Sequence, residues 1–509
     1  MVLNEILATQ QIGFPILSVL IWLPVAALAL IAVTGNEKTA YRIALMASIA
    51  ELLLAVVVIA DFKLGTADLQ FVERAGFYRL GIDGISVLFL PLTALLTLLI
   101  TFAAEATVKN NTRGYLMAVL GFEAAMMGAF AASDVMLFWF FFAIEILPSY
   151  FLIARYGTGE KREAAANHYL LMMLVSAAIL LFGAIKLSAA AGGATDIAGL
   201  LAAKIPVEAQ TTIFLLLCIA LGIKAPLFPF HTWMPKVLEQ GPVVGMSIFL
   251  VGVKVGTYAF MRFVIPVLPE ASREWFWLLA GMGAVGMVYG AMIALIQTNL
   301  RRLLAFASLS HMGVVMLGLF SLNYQGFQGG LLQMINLGIT GAGLFFIAGF
   351  LYTRMGPPEV SGMGGLAQRM PLLALAFIVI GLAGVGMPGT NGFNGEHLAI
   401  MGAYRMHWTM ALAIGIGTIL GAAYFLWYYQ RAFFGSASAA AQSPMPDLNR
   451  REGLIAVSMA GLIFWIGLYT GPFLNIMDGS LKAMASRVAP QIQTAKHLSN
   501  AGIELPVKR

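Results

Sequence analysis

Five ionisable residues stand in the middle of long apolar runs: Glu145, Lys224, Lys254, His311 and Glu396. Glu145 lies inside FWFFFAIEILPSYF, and Lys254 lies inside SIFLVGVKVGTYAF, too deep for its ammonium to snorkel out. A charge at the centre of a hydrocarbon layer costs roughly 2.5–3.5 kcal/mol on insertion scales, so such residues face a bundle interior or a watery cavity. Burial weakens a lysine's hold on its proton and a neighbouring carboxylate restores it. A lysine whose carboxylate partner can be moved is therefore a proton switch. Guanidinium stays protonated and cannot act in this way. The deep cations read as lysine or histidine, with no arginine among them, which favours proton handling over fixed ion pairing. Lys224 precedes Pro226 and Pro229, where freed carbonyls and water can solvate it. His311, in SLSHMG, has two distinct ring nitrogens through which a proton can pass. Glu123 is a secondary candidate and Glu51 a further one. Lys186, near the end of its run, reads as a snorkelling residue. His168, His231, His397 and His407 lie near interfaces or breaks and lack the paired spacing of a haem or metal site. No metal and no cofactor are expected on this chain.

These residues need a membrane around them, and the composition supplies one. Of 509 residues, 60% are apolar and 11% charged, with a mean hydropathy of +0.86. A soluble domain carries about 25% charged residues. Apolar runs long enough to cross roughly 30 Å of hydrocarbon recur from end to end. No basic n-region with a short core and cleavage site opens the chain, so no removable signal peptide is expected. Cys218 is the single cysteine, which excludes an intrachain disulfide and a cysteine-ligated iron–sulfur cluster or zinc held by this chain alone. No phosphate-cradling glycine motif stands in a strand–helix context. A soluble enzyme is excluded, and redox or nucleotide chemistry belongs to other chains.

The fold expected is all-α, with about fourteen transmembrane helices running from 14–34 to 452–475. The seventh, 211–230, holds Pro226 and Pro229 and continues into HTWMP; the twelfth, 370–404, contains Met387-Pro388-Gly389 and Asn391-Gly392. Both read as broken helices. Interrupted helices at corresponding places in two halves point to an inverted-repeat transporter with its site near the midplane. The expected organisation is 1–113 for helices 1–3, 114–265 for a first five-helix repeat (helices 4–8), 266–435 for its inverted partner (helices 9–13), and 436–509 for helix 14 and a short tail with the character of a surface helix. Lysines and arginines crowd the odd-numbered loops, among them Lys38, Lys109, Lys161, Arg162, Arg301, Arg302, Arg450 and Arg451. The positive-inside rule then places those loops in the cytoplasm and both termini on the opposite, periplasmic side of a bacterial-type inner membrane.

Five ordered strings resemble the antiporter-like subunits of respiratory complex I, most closely chain M: IEILPSYFLIARYG around Glu145, IKAPLFPFHTWMP around Lys224, FLVGVKVGTYAFMRF around Lys254, NLRRLLAFASLSHMG ending near His311, and GMPGTNGFNGE ending at Glu396. The likeness runs from about residue 80 to 435. It implies fourteen helices with two inverted five-helix repeats, a helix-5 Glu (Glu145) paired with the helix-7 Lys (Lys224), a central helix-8 Lys (Lys254), then His311, and a helix-12 Glu (Glu396). That last residue favours chain M, since chains L and N generally carry a lysine there. Two departures stand out. Lys236 and Leu238 replace an Asp and a second His after the helix-7 break, and Leu337 occupies the place of a helix-11 histidine. Leucine carries no proton, so that step would need water or another side chain. The departures suggest a diverged paralogue.

The function implied is a proton-translocating membrane-arm subunit of NADH:quinone oxidoreductase, driven by redox chemistry elsewhere. NADH, FMN, iron–sulfur clusters and quinone would sit on partner subunits. The partners implied are other membrane subunits, homologous antiporter-like chains among them, and the lipid bilayer, with no nucleic acid. The alternative is an antiporter-like subunit of a Mrp-type cation/proton antiporter, a membrane hydrogenase or a bicarbonate-uptake complex. A third reading is a structural membrane-arm chain without pumping.

Overall fold

The computed structural model describes residues 4–108, 110–357, 359–360, 363–436 and 445–488. Thirteen helices among them are long and apolar enough to cross a membrane. They are α1 (Ile16–Val33), α2 (Glu37–Ala60), α3 (Phe89–Thr107), α4 (Thr112–Ala131), α5 (Val135–Tyr156), α6 (Arg162–Ala190), α7a (Val207–Lys224), α8 (Met246–Val264), α9 (Phe276–Leu295), α10 (Leu300–Leu319), α11 (Tyr324–Met355), α13 (Trp408–Phe433) and α14 (Arg450–Leu468). The fourteenth crossing is the broken pair α12a (Pro371–Gly384) and α12b (Asn391–Met406). The seventh crossing likewise resumes as α7b (Trp233–Gln240). The chain is thus a polytopic all-α membrane protein, as its sequence predicts.

Each break has a local cause. Proline lacks the N–H that continues a helix, and its ring clashes with the preceding turn. Pro226 and Pro229 follow Lys224, the last residue of α7a, and the Trp233 indole N–H donates to the carbonyl of Ile223 at 2.8 Å. One freed carbonyl is satisfied in this way. In the twelfth crossing Gly386 and Gly389 take left-handed φ of 76° and 89° around Pro388. Two further interruptions fall inside crossings that read as continuous in sequence. Regular helix stops at Glu145 within α5, three residues before Pro148, and at Val253 within α8, immediately before Lys254. Residues Phe260–Val264 of α8 are π-helical, a form frequent at functional sites.

One side of the bundle carries a cap. A three-stranded sheet, β1 (Glu5–Leu7), β2 (Leu69–Ala75) and β3 (Tyr78–Ile82), is the one departure from helix; β1 pairs parallel to β2, and β2 antiparallel to β3 through a turn at Gly76, φ 64°. Glu73 of β2 reaches across to the start of α1 and accepts from the Leu17 N–H at 2.7 Å and the Ser18 N–H at 3.0 Å. These are donors that a helix start leaves orphaned. Burial raises the Glu73 carboxyl above its ordinary range, and the Ser18 hydroxyl and these N–H groups oppose the rise. A C-terminal helix, α15 (Gly471–Val488), lies against the same face, where the Ser480 hydroxyl accepts from the Gly84 N–H at 3.0 Å.

That face also corrects the expectation that no arginine is deep. Arg262, in the π-helical stretch of α8, is 4% exposed and binds Asp83 in bidentate fashion at 2.8 and 3.0 Å; its Nε donates to Tyr258 at 3.1 Å. Arg301 is also buried, donating to the Leu238 carbonyl at 3.1 Å and to Thr158 at 2.8 Å, and Arg354 pairs with Glu452 at 2.6 Å. All three lie toward helix ends, where loops and neighbouring helices cover them. They are the fixed ion pairs and anchors that a permanently charged guanidinium suits.

Candidate proton-relay site

The first contact is made at the kink in α5. Glu145 projects from the interruption toward α6 and α7a. It pairs with the Lys224 ammonium and accepts from the Ser149 hydroxyl, one turn along α5, and from the Tyr169 hydroxyl of α6 at 2.9 and 3.2 Å. Glu145 is 1% exposed and Lys224 2%. The Lys224 ammonium also lies 5.3 Å from the centre of the Phe142 ring. A buried carboxylate is tolerated when paired and hydrogen-bonded, and this one is paired and twice bonded.

Lys254 stands near the middle of α8, 1% exposed. It opens on a cavity of about 40 Å³ where α8, α10, α11, the α12 break and α13 converge. Ser308, His311, Leu337, Thr340 and Tyr424 share its wall. A buried water needs about 10–15 Å³ of such space and a few polar partners. The cavity therefore has room for a short chain of waters between Lys254 and His311. Leu337 faces this space, so the step at which a leucine interrupts the side chains is the step at which room for water exists.

His311 makes the second contact. Its Nδ1 lies 3.7 Å from Glu396 Oε1, and its Nε2 lies 3.4 Å from the Tyr424 hydroxyl. Glu396, on α12b, also receives the Gln333 amide at 3.4 Å and the Thr418 hydroxyl at 3.4 Å. Gly386, in the break, is required here: a methyl at this position would collide with Glu396 Oε2, and its φ is left-handed. The break is held in place from α11, where Asn336 donates to the Asn391 carbonyl at 2.6 Å and Thr340 donates to the Asn391 side chain at 3.5 Å. Gln333, Asn336 and Thr340 fall on one face of α11, three and four residues apart.

Five of the six candidate residues are thus drawn into two direct contacts and one shared cavity. Glu123 is not. It is fully buried on α4, and both of its carboxyl oxygens lack a hydrogen-bond partner among the described residues; the same holds for Glu51 on α2 and the Thr97 hydroxyl on α3. Lys186 is exposed beside Phe182. His231 is buried and stacks on Phe228 at 5.6 Å, while His397 and His407 are exposed. Tyr169, Ser149, Tyr424, Thr418 and the α11 face are participants that charge alone does not reveal. Period and polarity could have flagged Gln333, Asn336 and Thr340.

Comparison with known proteins agrees with this geometry. Residues 132–421, more than half the chain, match the family model described as NADH:quinone oxidoreductase/Mrp antiporter, transmembrane. NADH-quinone oxidoreductase subunit M of Rhodobacter capsulatus is 34% identical over 492 residues, covering 92% of this chain and 95% of that protein. The subunit M of Rickettsia typhi is 31% identical, covering 93% and 99%. Among solved structures, a chain of respiratory complex I from Thermus thermophilus with bound NADH superposes with a TM-score of 0.86 at 30% identity, over 93% of this chain and 100% of that one. A chain of the Mrp complex from Dietzia sp. shares the fold, with a TM-score of 0.82 at 22% identity and coverage of 94% and 99%. This chain belongs to the NADH:quinone oxidoreductase/Mrp antiporter membrane family, and these curated relatives are its subunit M members.

Proposed function

We propose that this chain is a proton-translocating membrane-arm subunit of NADH:quinone oxidoreductase, moving protons through Glu145, Lys224, Lys254, His311 and Glu396. The observation that carries the reading is the convergence of these five groups, from five different crossings, on two contacts and one cavity within an apolar bundle. Glu145 acts as counter-charge: while paired, Lys224 keeps its proton, and when the pair loosens Lys224 gives it up. Lys254 takes the proton on, cavity water passes it to His311, and Glu396 connects to the exit. The likeness to subunit M proteins supports assembly with other membrane subunits, homologous antiporter-like chains among them. NADH, FMN, iron–sulfur clusters and quinone belong to partner subunits in this reading. Moving one charge against 100 mV takes about 2.3 kcal/mol, and that energy comes from the partners. The loop cations favour a bacterial inner-membrane orientation with both termini periplasmic. The two broken crossings, α7 and α12, support α4–α8 and α9–α13 as inverted repeats.

The test is Lys254→Met in the assembled complex. Proton pumping should be lost while the complex still assembles; undiminished pumping overturns the central role of Lys254. Measuring pumping with and without Na⁺ separates this reading from a cation antiporter.

A further inference from the structure

A second lysine-containing pair, outside the relay, stands one layer above its first ion pair. His168 lies in the second turn of α6 and Lys236 in α7b, and the Lys236 ammonium is 2.9 Å from His168 Nδ1. An ammonium can only donate, so Nδ1 accepts, and the ring is neutral with its proton on Nε2. The two groups together hold one positive charge. His168 is half-buried and Lys236 exposed, and both line a polar cavity of about 710 Å³.

The floor of that cavity is thin. Tyr169 follows His168 and Trp233 precedes Lys236 by three residues; their rings meet edge to face at 5.4 Å. The Tyr169 hydroxyl donates to Glu145, and Trp233 holds the carbonyl next to Lys224. One layer of two aromatic rings therefore separates an accessible pair from the buried one. Other charged groups around the cavity are Glu239 on α7b, Glu160 and Lys161 ahead of α6, Arg301 and Arg302 at the start of α10, and Glu359. Arg301 is committed to carbonyls and Thr158, and Glu359 accepts from Asn299 at 2.7 Å.

We propose that His168 and Lys236 form a proton-loading pair that feeds the Glu145–Lys224 couple from the cavity above it. The inference rests on the relay reading. In each cycle one proton leaves cavity water and forms an N–H bond on the pair, and one proton leaves the pair's other nitrogen toward the Tyr169–Glu145 contact. The pair's charge is the same before and after. It acts as an exchanger, never holding two protons for long, because two cations 2.9 Å apart repel.

The test measures proton uptake by the assembled complex in membrane vesicles as a function of pH. Lys236→Met removes the cation beside His168, so His168 binds a proton more readily and the alkaline limb of the uptake profile moves to higher pH. His168→Gln removes the exchanging base and slows uptake several-fold, with the alkaline limb flattened. Lys236→Arg, which keeps the charge, should leave that limb nearer wild type than Lys236→Met does. Wild-type profiles in both Lys236→Met and His168→Gln overturn the proposal. Lys254→Met, run beside them, separates the two failures: if it still pumps, the relay reading fails, and if it does not, unaltered His168 and Lys236 profiles sink the loading pair alone.

Discussion

At the α5–α7 end of the titratable file, a carboxylate and an ammonium touch; at the α10–α12 end, an imidazole and a carboxylate stand 3.7 Å apart. Glu145 is enclosed by an ammonium and two hydroxyls in close contact. Glu396 has an amide and a hydroxyl, each at 3.4 Å, the long edge of the hydrogen-bond range. Tight pairing fixes a charge, and it must be broken before a proton can leave. Long contacts leave lone pairs open to water and to a passing proton. One end is therefore built to hold and the other to conduct, with the cavity beside Lys254 between them.

The hardest blow to that contrast is Lys224→Met. It leaves the Glu145 carboxylate buried without its counter-charge, a loss of about 3–5 kcal/mol. The complex should assemble poorly on native gels; normal assembly would show that the ion pair does not hold this end. Lys224→Arg keeps the charge but cannot release its proton, since guanidinium stays protonated up to a pKa above about 12. Assembly should survive while pumping is lost, and a pumping arginine variant would reduce the pair to a strut. Glu396→Gln should leave stability within about 1 kcal/mol, because only long contacts are disturbed, yet abolish pumping; a large drop in thermal stability would erase the difference between the ends. Tyr424→Phe has the smallest effect. It removes one 3.4 Å contact to His311, and a neutral hydrogen bond of about 0.5–1.5 kcal/mol corresponds to roughly a tenfold loss of rate at most. Complete loss of pumping would mean that the hydroxyl itself, not water, bridges the cavity.

The charges and the proline breaks were legible because each is an anomaly in an apolar run. A carboxylate within FWFFFAIEILPSYF has no inexpensive structural explanation, so Glu145 announces itself. Tyr169 and Tyr424 do not, since a tyrosine on a membrane helix costs little and its hydroxyl partner lies on another crossing, 24 or 113 residues away. Arg262 was hidden for a related reason: near a helix end it resembles a snorkelling residue, and its burial depends on Asp83, 179 residues earlier. The interruptions at Glu145 and Val253 were invisible to hydropathy, which reads straight through them, although Pro148 marks the first. Leu337 was legible only as a gap. That the gap coincides with a cavity depends on the meeting of five crossings, which no single segment encodes.

Each of the five groups lies near the midpoint of its crossing or at the break that interrupts it: Glu145 within Val135–Tyr156, Lys254 within Met246–Val264, His311 within Leu300–Leu319, and Lys224 and Glu396 beside their breaks. Transfers along such a file run sideways, at nearly constant depth. A full crossing against 100 mV requires about 2.3 kcal/mol, but sideways steps traverse almost none of that field and are electrically silent. The membrane voltage acts on the two short legs that join the file to the aqueous faces. A charged membrane slows the molecule at its thresholds and leaves its interior exchange untouched.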